Sequence, residues 1–402
     1  MVNIRRVCLF LATLVPLVAA GPLNSRATAL SDVQGRYIVT LKEDLTDEVA
    51  TTHMSWVQNV HKRSLSKRDF RGVEKQYHIG GFRGYAGQFD DATIEEIKKN
   101  PEVEAVEPDK VMTYQAIASQ EEAEWGLGTI SSRDPGSKIY SYDSSAGKGG
   151  YAYIIDTGLY TEHSEFDGGR AELGQNLLQD MGIAFKDTDG HGSHVAGTIG
   201  GKTYGVAKSA TLVSVKIMHG GETTVSVVLN GLSWAVQDII SKGRVGKAVI
   251  NMSLGGDRSP ALNWAVTSAY RRGVLVVAAS GNSDLPASSS SPGMTPEALT
   301  VGAIDEDWNE AYFSNSGPTV DILAPGVMIT SVGIDSPTAS LTLNGTSMAT
   351  PHVTGLAVYL MIAENISDPE KLTARIKELG TRNKVKNLKF MSPNLIAYNG
   401  IA

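Results

Sequence analysis

Beyond residue 150 the chain carries five near-continuous apolar runs, at 151–155, 211–217, 248–253, 274–279 and 299–303, separated by helical stretches and glycine-rich turns. Runs this short read as strands. Because they do not alternate apolar with polar, both faces of each strand must be buried. Between the third and fourth runs, residues 260–272 have the length and composition of a helix. Strands buried on both faces and joined by helical crossovers imply an α/β fold, a mostly parallel sheet flanked by helices.

A different pattern precedes it. Residues 36–41 read as a strand that ends in Lys42-Glu43-Asp44, residues 47–67 as a polar helix, and 84–89 as a second strand. A short helix follows over 93–99, with Asp90-Asp91 near its start and Lys98-Lys99 at its end, matching the helix dipole. Residues 103–106 form another strand, so this segment is a small α+β domain. Residues 112–124 have no periodicity and read as an exposed linker.

The 402 residues suffice for two or three domains, and 42% hydrophobic with 20% charged residues suits a soluble globular protein. A formal net charge of -7 argues against nucleic acid or an anionic membrane as partner. At the N-terminus, Arg5 and Arg6 precede an apolar run over 7–18, broken only by Thr13 and Pro16, and then Val18-Ala19-Ala20. This pattern predicts a secretory signal cleaved after Ala20, the run being too short to span a bilayer. The only cysteine, Cys8, lies within that signal, so the mature chain is expected to have no internal disulfide.

Three segments carry chemistry. The run at 151–155 ends in Asp156-Thr157-Gly158, a carboxylate at the carboxyl end of a buried strand, where α/β sheets build their sites. Alone, such an Asp is as often a turn or helix cap. Asp-Thr-Gly also belongs to the paired-carboxylate aspartic peptidases. Those need two such motifs sharing a proton; no second one occurs here, and Leu159 stands where Ser or Thr is required. The second segment, Asp189-Gly190-His191-Gly192-Ser193-His194, opens a helix. His191 between glycines is accessible, His194 points inward as a structural residue, and HExxH metal spacing is absent. In the third, Asn344-Gly345-Thr346-Ser347-Met348-Ala349-Thr350-Pro351-His352, Ser347 sits at a helix N-terminus, with Pro351 expected in the first turn. Free backbone N–H groups there favour a developing oxyanion, although a plain Ser cap is the commoner use.

Together, in the chain order Asp, His, Ser, the three segments resemble the subtilisin-like serine peptidases, most closely the proteinase K-type secreted fungal enzymes. The likeness runs from Trp125-Gly126-Leu127-Gly128 to Asn394-Leu395-Ile396-Ala397-Tyr398. It implies Ser347 as nucleophile, His191 as general base and acid, and Asp156 as the carboxylate orienting the imidazole. It implies Asn282, in Ala278-Ala279-Ser280-Gly281-Asn282, as an oxyanion donor, and Ser253-Leu254-Gly255-Gly256 with Ala279-Ser280-Gly281 as cleft walls. Glycine walls without an acid predict broad cleavage after aromatic and aliphatic residues. No cofactor is implied for catalysis.

The resemblance further implies a propeptide over 21–118, with an inhibitor-like domain at about 36–114, preceding a peptidase domain at 119–402. Self-cleavage is expected after Ala118, the tail near 114–118 lying in the cleft as product. A structural calcium is implied at the carbonyls of Pro296 and Ala298 and the carboxylate of Asp321. Cysteines of some relatives are missing, with Val195 and Leu299 in their places. Glycosylation sequons occur at Asn251, Asn344 and Asn365, of which Asn365 is the best candidate. The expected partners are protein and peptide substrates and the chain's own propeptide, acting on a secreted monomer. The competing reading is a catalytically silent relative that only binds peptides.

Overall fold

The computed structural model describes residues 35–64, 69–109 and 117–401. The expected signal with Cys8, and most of the expected product-like tail, lie outside these residues. The chain divides into two compact units, Met1–Tyr114 and Gln115–Ala402.

In the first unit the elements are β1 (Arg36–Leu41), α1 (Asp47–Arg63), β2 (Gly72–Ile79), β3 (Phe82–Gln88), α2 (Asp91–Lys98) and β4 (Val103–Pro108). The strands form one antiparallel sheet of order β2-β3-β1-β4. Val39, Val57, Tyr85, Phe89, Ile94 and Ile97 fill the space between sheet and helices. Asp90 caps α2 by accepting from Thr93 N at 2.8 Å. The edge strand β2 escapes a reading by hydrophobic pattern because most of its residues are exposed.

The second unit begins with β5 (Ile117–Gln120), α3 (Trp125–Ile130), β6 (Tyr140–Asp143), β7 (Tyr151–Asp156), β8 (Ala171–Asn176), α4 (His191–Gly200) and β9 (Thr211–Lys216). There follow α5 (Val225–Ser241), β10 (Ala248–Met252), β11 (Gly256–Asp257), α6 (Pro260–Arg271), β12 (Leu275–Ala279), β13 (Ser290–Ser291) and β14 (Ala298–Ile304). The remainder comprises β15 (Ile322–Pro325), β16 (Ile329–Val332), β17 (Ser340–Leu343), α7 (Thr346–Ala363), α8 (Pro369–Leu379), β18 (Thr381–Arg382) and β19 (Leu395–Ile396). A nine-stranded sheet of order β18-β19-β15-β14-β12-β10-β7-β9-β8 forms the centre, parallel except at the β18–β19 edge.

The apolar runs are continuous because alternate residues enter two different cores. Ala152 and Ile154 of β7 pack on the side of α4 and α7, whereas Tyr153 and Ile155 pack on the side of α5 and α6. Helix α7 is buried at every residue from Met348 to Met361, as an apolar-all-round helix must be. Truncating such a position, as in Leu356→Ala, costs about 2–5 kcal/mol.

The structure corrects the linker expected over 112–124. Ile117–Gln120 is a strand, and Ala118 pairs with Tyr142 across an antiparallel ladder. Its polar residues satisfy their backbone through β6, a partner that local periodicity does not reveal.

Candidate active site

The parallel sheet aims its carboxyl edge at one region. Asp156 ends β7, Ser253 follows β10, Asn282 lies three residues beyond β12, and α4 and α7 start with His191 and Thr346. Asp156, only 2% exposed, accepts through Oδ1 from His191 Nδ1 at 2.8 Å and from Thr157 N at 2.7 Å. Among the described residues it meets a histidine and no second carboxylate, so the paired-aspartate arrangement does not form. Gly192 permits this approach: a Cβ there would lie 2.3 Å from Gly158 O.

Two buried charged residues brace the Asp156–His191 pair, and motif reading passes over both. Asp187 Oδ1 accepts from Thr157 Oγ1 at 2.9 Å and from Gly190 N at 3.0 Å. Its Oδ2 accepts from Ser193 N and Ser193 Oγ, at 2.9 and 2.7 Å. One carboxylate thus ties the loop after Asp156 to the first turn of α4, where it also suits the helix dipole. Lys216, the register partner of Asp156 on β9, donates from Nζ to Thr157 O and, at 3.3 Å, to Lys186 O. The only trace in the sequence is a lone charge at the end of an apolar run.

The histidines are sorted by environment. Burial pulls His191 down, but the charge and hydrogen bond of Asp156, with Asp187 and Asp189, outweigh it and raise its pKa above the usual value. About a third of its side chain remains exposed (32%). His194 is enclosed, its Nε2 3.0 Å from both Ile329 O and Leu341 O, and burial lowers its pKa to about 4. It is structural, as expected. His352 is likewise lowered to about 4 by burial, with Nδ1 2.9 Å from Met348 O.

At the start of α7, Ser347 Oγ donates to Ser253 O at 3.0 Å, and Ser253 Oγ donates to Ser347 O at 2.9 Å. Pro351 explains the second bond. It lies in the second turn rather than the first, four residues beyond Ser347, and lacks the N–H that would otherwise satisfy the Ser347 carbonyl. Asn282 Oδ1 accepts from Thr346 N and Thr346 Oγ1, both at 2.8 Å. Its amide nitrogen is thereby turned away from Thr346, and it lies 3.4 Å from where a Cβ on Gly345 would sit. Gly345 has φ +151°, which also favours glycine.

Ser347 and Asn282 border a cavity of ≈ 260 Å³. Of the expected wall residues, Leu254, Gly255, Gly256, Ala279 and Gly281 line it. Ser253 and Ser280 do not; both are buried behind the wall, Ser280 Oγ donating to Asn315 O at 3.1 Å. Asn315 braces the opposite loop, accepting from Ser283 N and Leu285 N at 3.0 Å each. Asp257 also lines the cavity, which corrects the expectation of a cleft free of acids.

The residues proposed for calcium do not fit that ion as they stand: Asp321 Oδ1 accepts from Lys377 Nζ at 2.8 Å and Oδ2 from Thr300 N at 3.0 Å. Both oxygens thus have protein donors, one of them an ammonium. Of the sequons, Asn251 is fully buried, with Oδ1 bonded to Thr354 and Nδ2 to Ser253, so no glycan can reach it. Asn344 and Asn365 are both exposed, but Asn344 Oδ1 is engaged by Met328 N at 2.6 Å, whereas Asn365 stands at φ +53° just past α7.

Residues 147–392 match the Subtilase family, and residues 36–115 match Peptidase inhibitor I9. The chain belongs to the subtilase family. It is 49% identical to "Alkaline protease 1" of Emericella nidulans, over 99% of both chains. It is 50% identical to "Subtilisin-like proteinase Mp1" of Magnaporthiopsis poae, over the whole of both. A solved cold-adapted subtilisin-like serine proteinase superposes with TM-score 0.64 at 39% identity, covering 69% of this chain and 99% of that one. The protein is thus a serine endopeptidase with an inhibitor-type propeptide domain, and its catalysis needs no cofactor.

Proposed function

We propose that the protein is a secreted, self-processing endopeptidase of broad specificity, in which Ser347 is the nucleophile. Ser347 Oγ turns from Ser253 O toward His191 and attacks the scissile carbonyl as the imidazole takes its proton. The same imidazole then protonates the leaving amine, and Asp156 holds it in the required tautomer and stabilises its cation. Asn282 Nδ2 and the N–H of Ser347 at the helix start receive the oxyanion. What supports this most directly is the 2.8 Å bond between His191 Nδ1 and Asp156 Oδ1, together with a cleft bordered by Ser347 and Asn282.

Residues 1–20 direct export, consistent with the absence, among the described residues, of any helix long and apolar enough to cross a membrane. The segment from residue 21 up to the strand Ile117–Gln120 acts as a transient inhibitor that the enzyme cuts from itself. Because Ile117–Gln120 is a single paired strand, the favoured cut lies at its N-terminal end rather than after Ala118. The mature enzyme works as a monomer, glycosylated at Asn365.

Ser347→Ala tests the reading. The variant is expected to accumulate as uncleaved precursor and to lose labelling by an organophosphonate probe that marks the wild type. Maturation of the purified variant by itself would sink self-processing, and persistent labelling would sink Ser347 as the nucleophile.

A further inference from the structure

Beyond the broad specificity proposed above, and resting on that peptidase reading, the cleft carries one unassigned charge. Its walls combine glycine backbone with Leu254, Leu285 and small or amide side chains; a Cβ added at Gly256 would meet nothing within 4 Å. Among the residues that line it, Asp257 alone is charged. Asp257 belongs to β11, which pairs with β13 through Asp257↔Ser290 and Gly256↔Ser291. Ser290 Oγ additionally donates to Gly256 O at 3.1 Å, so the backbone carrying the carboxylate is fixed from two sides. Arg258, the next residue, does not line the cavity. The Asp257 side chain is exposed and, among the described residues, has no hydrogen-bond or ion-pair partner.

We infer that Asp257 is a specificity-determining residue that admits Lys and Arg, besides apolar residues, at the substrate position preceding the scissile bond. A long cationic side chain runs its methylene stem past Leu254 and Ala279 and sets its head group at the rim, beside Asp257. An apolar side chain uses the same walls and ignores the rim. An acidic one meets like charge. Because the carboxylate faces water, the preference is a bias of about threefold rather than an exclusive selection, and salt weakens it.

The test compares tetrapeptide p-nitroanilides that differ only in the residue before the scissile bond, Lys, Phe or Glu, on wild type and Asp257→Asn. The Lys-to-Phe ratio of kcat/KM is expected to fall about threefold in the variant, and the Glu-to-Phe ratio to rise by a similar factor. Both changes should shrink as NaCl rises from about 0.05 to 0.5 M. A ratio is insensitive to any loss of folded enzyme. Unchanged ratios would overturn the inference, and so would a Lys effect that appears only when Lys is moved to an earlier substrate position. Failure of wild type to cleave any of the three would instead count against the peptidase reading.

Discussion

Ser253 and Ser347 exchange two hydrogen bonds, each hydroxyl donating to the other's backbone carbonyl, at 2.9 and 3.0 Å. The end of a sheet strand is thereby stitched to the first turn of a helix that is buried on every side from Met348 to Met361. Ser253→Ala leaves the Ser347 carbonyl, already deprived of a helical partner by Pro351, without its donor. Unfolding by denaturant should show a loss of about 1–3 kcal/mol, and an unchanged midpoint would mean the pair is incidental.

Asn282 is oriented by its own oxygen. With Oδ1 committed twice to Thr346, the amide nitrogen is presented rather than free to flip. Asn282→Ala should lower kcat by about 10²–10³-fold, the scale known for such a donor in a related enzyme, with little change in KM. Thr346→Val removes one of the two donors and should cost less. Equal losses in kcat and affinity would point to substrate binding instead.

The raised pKa of His191 predicts how activity responds to pH. The imidazolium is favoured in the folded state, so its contribution to stability is fully present below about 6.5 and is lost as pH rises through the higher folded value. The neutral base needed for attack forms only above that value. An NMR titration of the ring in the Ser347→Ala enzyme should give a midpoint above 6.5, and Asp156→Asn should move it down. A midpoint at or below 6.5 would remove the electrostatic argument.

His194 and His352 act in the opposite sense. Both are kept neutral by burial, at about 4, so folding is favoured above the ordinary histidine range. That stability is lost as pH falls from about 6.5 toward 4, because the unfolded chain takes up protons first. Melting of the Ser347→Ala protein should drop across this window. His194→Gln should flatten the drop even if it lowers the melting temperature throughout.

Lys377 gives a test of cation dependence. The half-exposed pair itself is worth only about 0.2–1 kcal/mol. Lys377→Ala frees an oxygen of Asp321, so added calcium should raise the melting temperature of the variant more than that of wild type. Equal calcium responses would show that Lys377 does not compete for the site.

Much of the architecture was legible because its strands are buried on both faces: the runs ending near Asp156, Ser253 and Ala279 announced a covered parallel sheet. The edge strand β2 and the polar strand Ile117–Gln120 were not, since their stability comes from partners distant in sequence. The same division holds at the site. Asp156, His191 and Ser347 stand in motifs whose glycines serve local turns. Asp187 and Lys216 do their work across separate elements; nothing local marks Asp187, and Lys216 shows only as a lone charge closing an apolar run. Asp257 sits directly beside the anticipated Gly255-Gly256, and only the cavity makes its position meaningful.

Helix α7 has no solvent face from Met348 to Met361, and Ser347 rides on its first turn. A nucleophile mounted on a mobile loop can be lost to local opening long before a protein melts. Here the hydroxyl proposed as nucleophile is fastened to the axle of the whole domain. Heat inactivation should therefore be a single event, coincident with collapse of the core and without an earlier stage in which a folded enzyme has already gone silent.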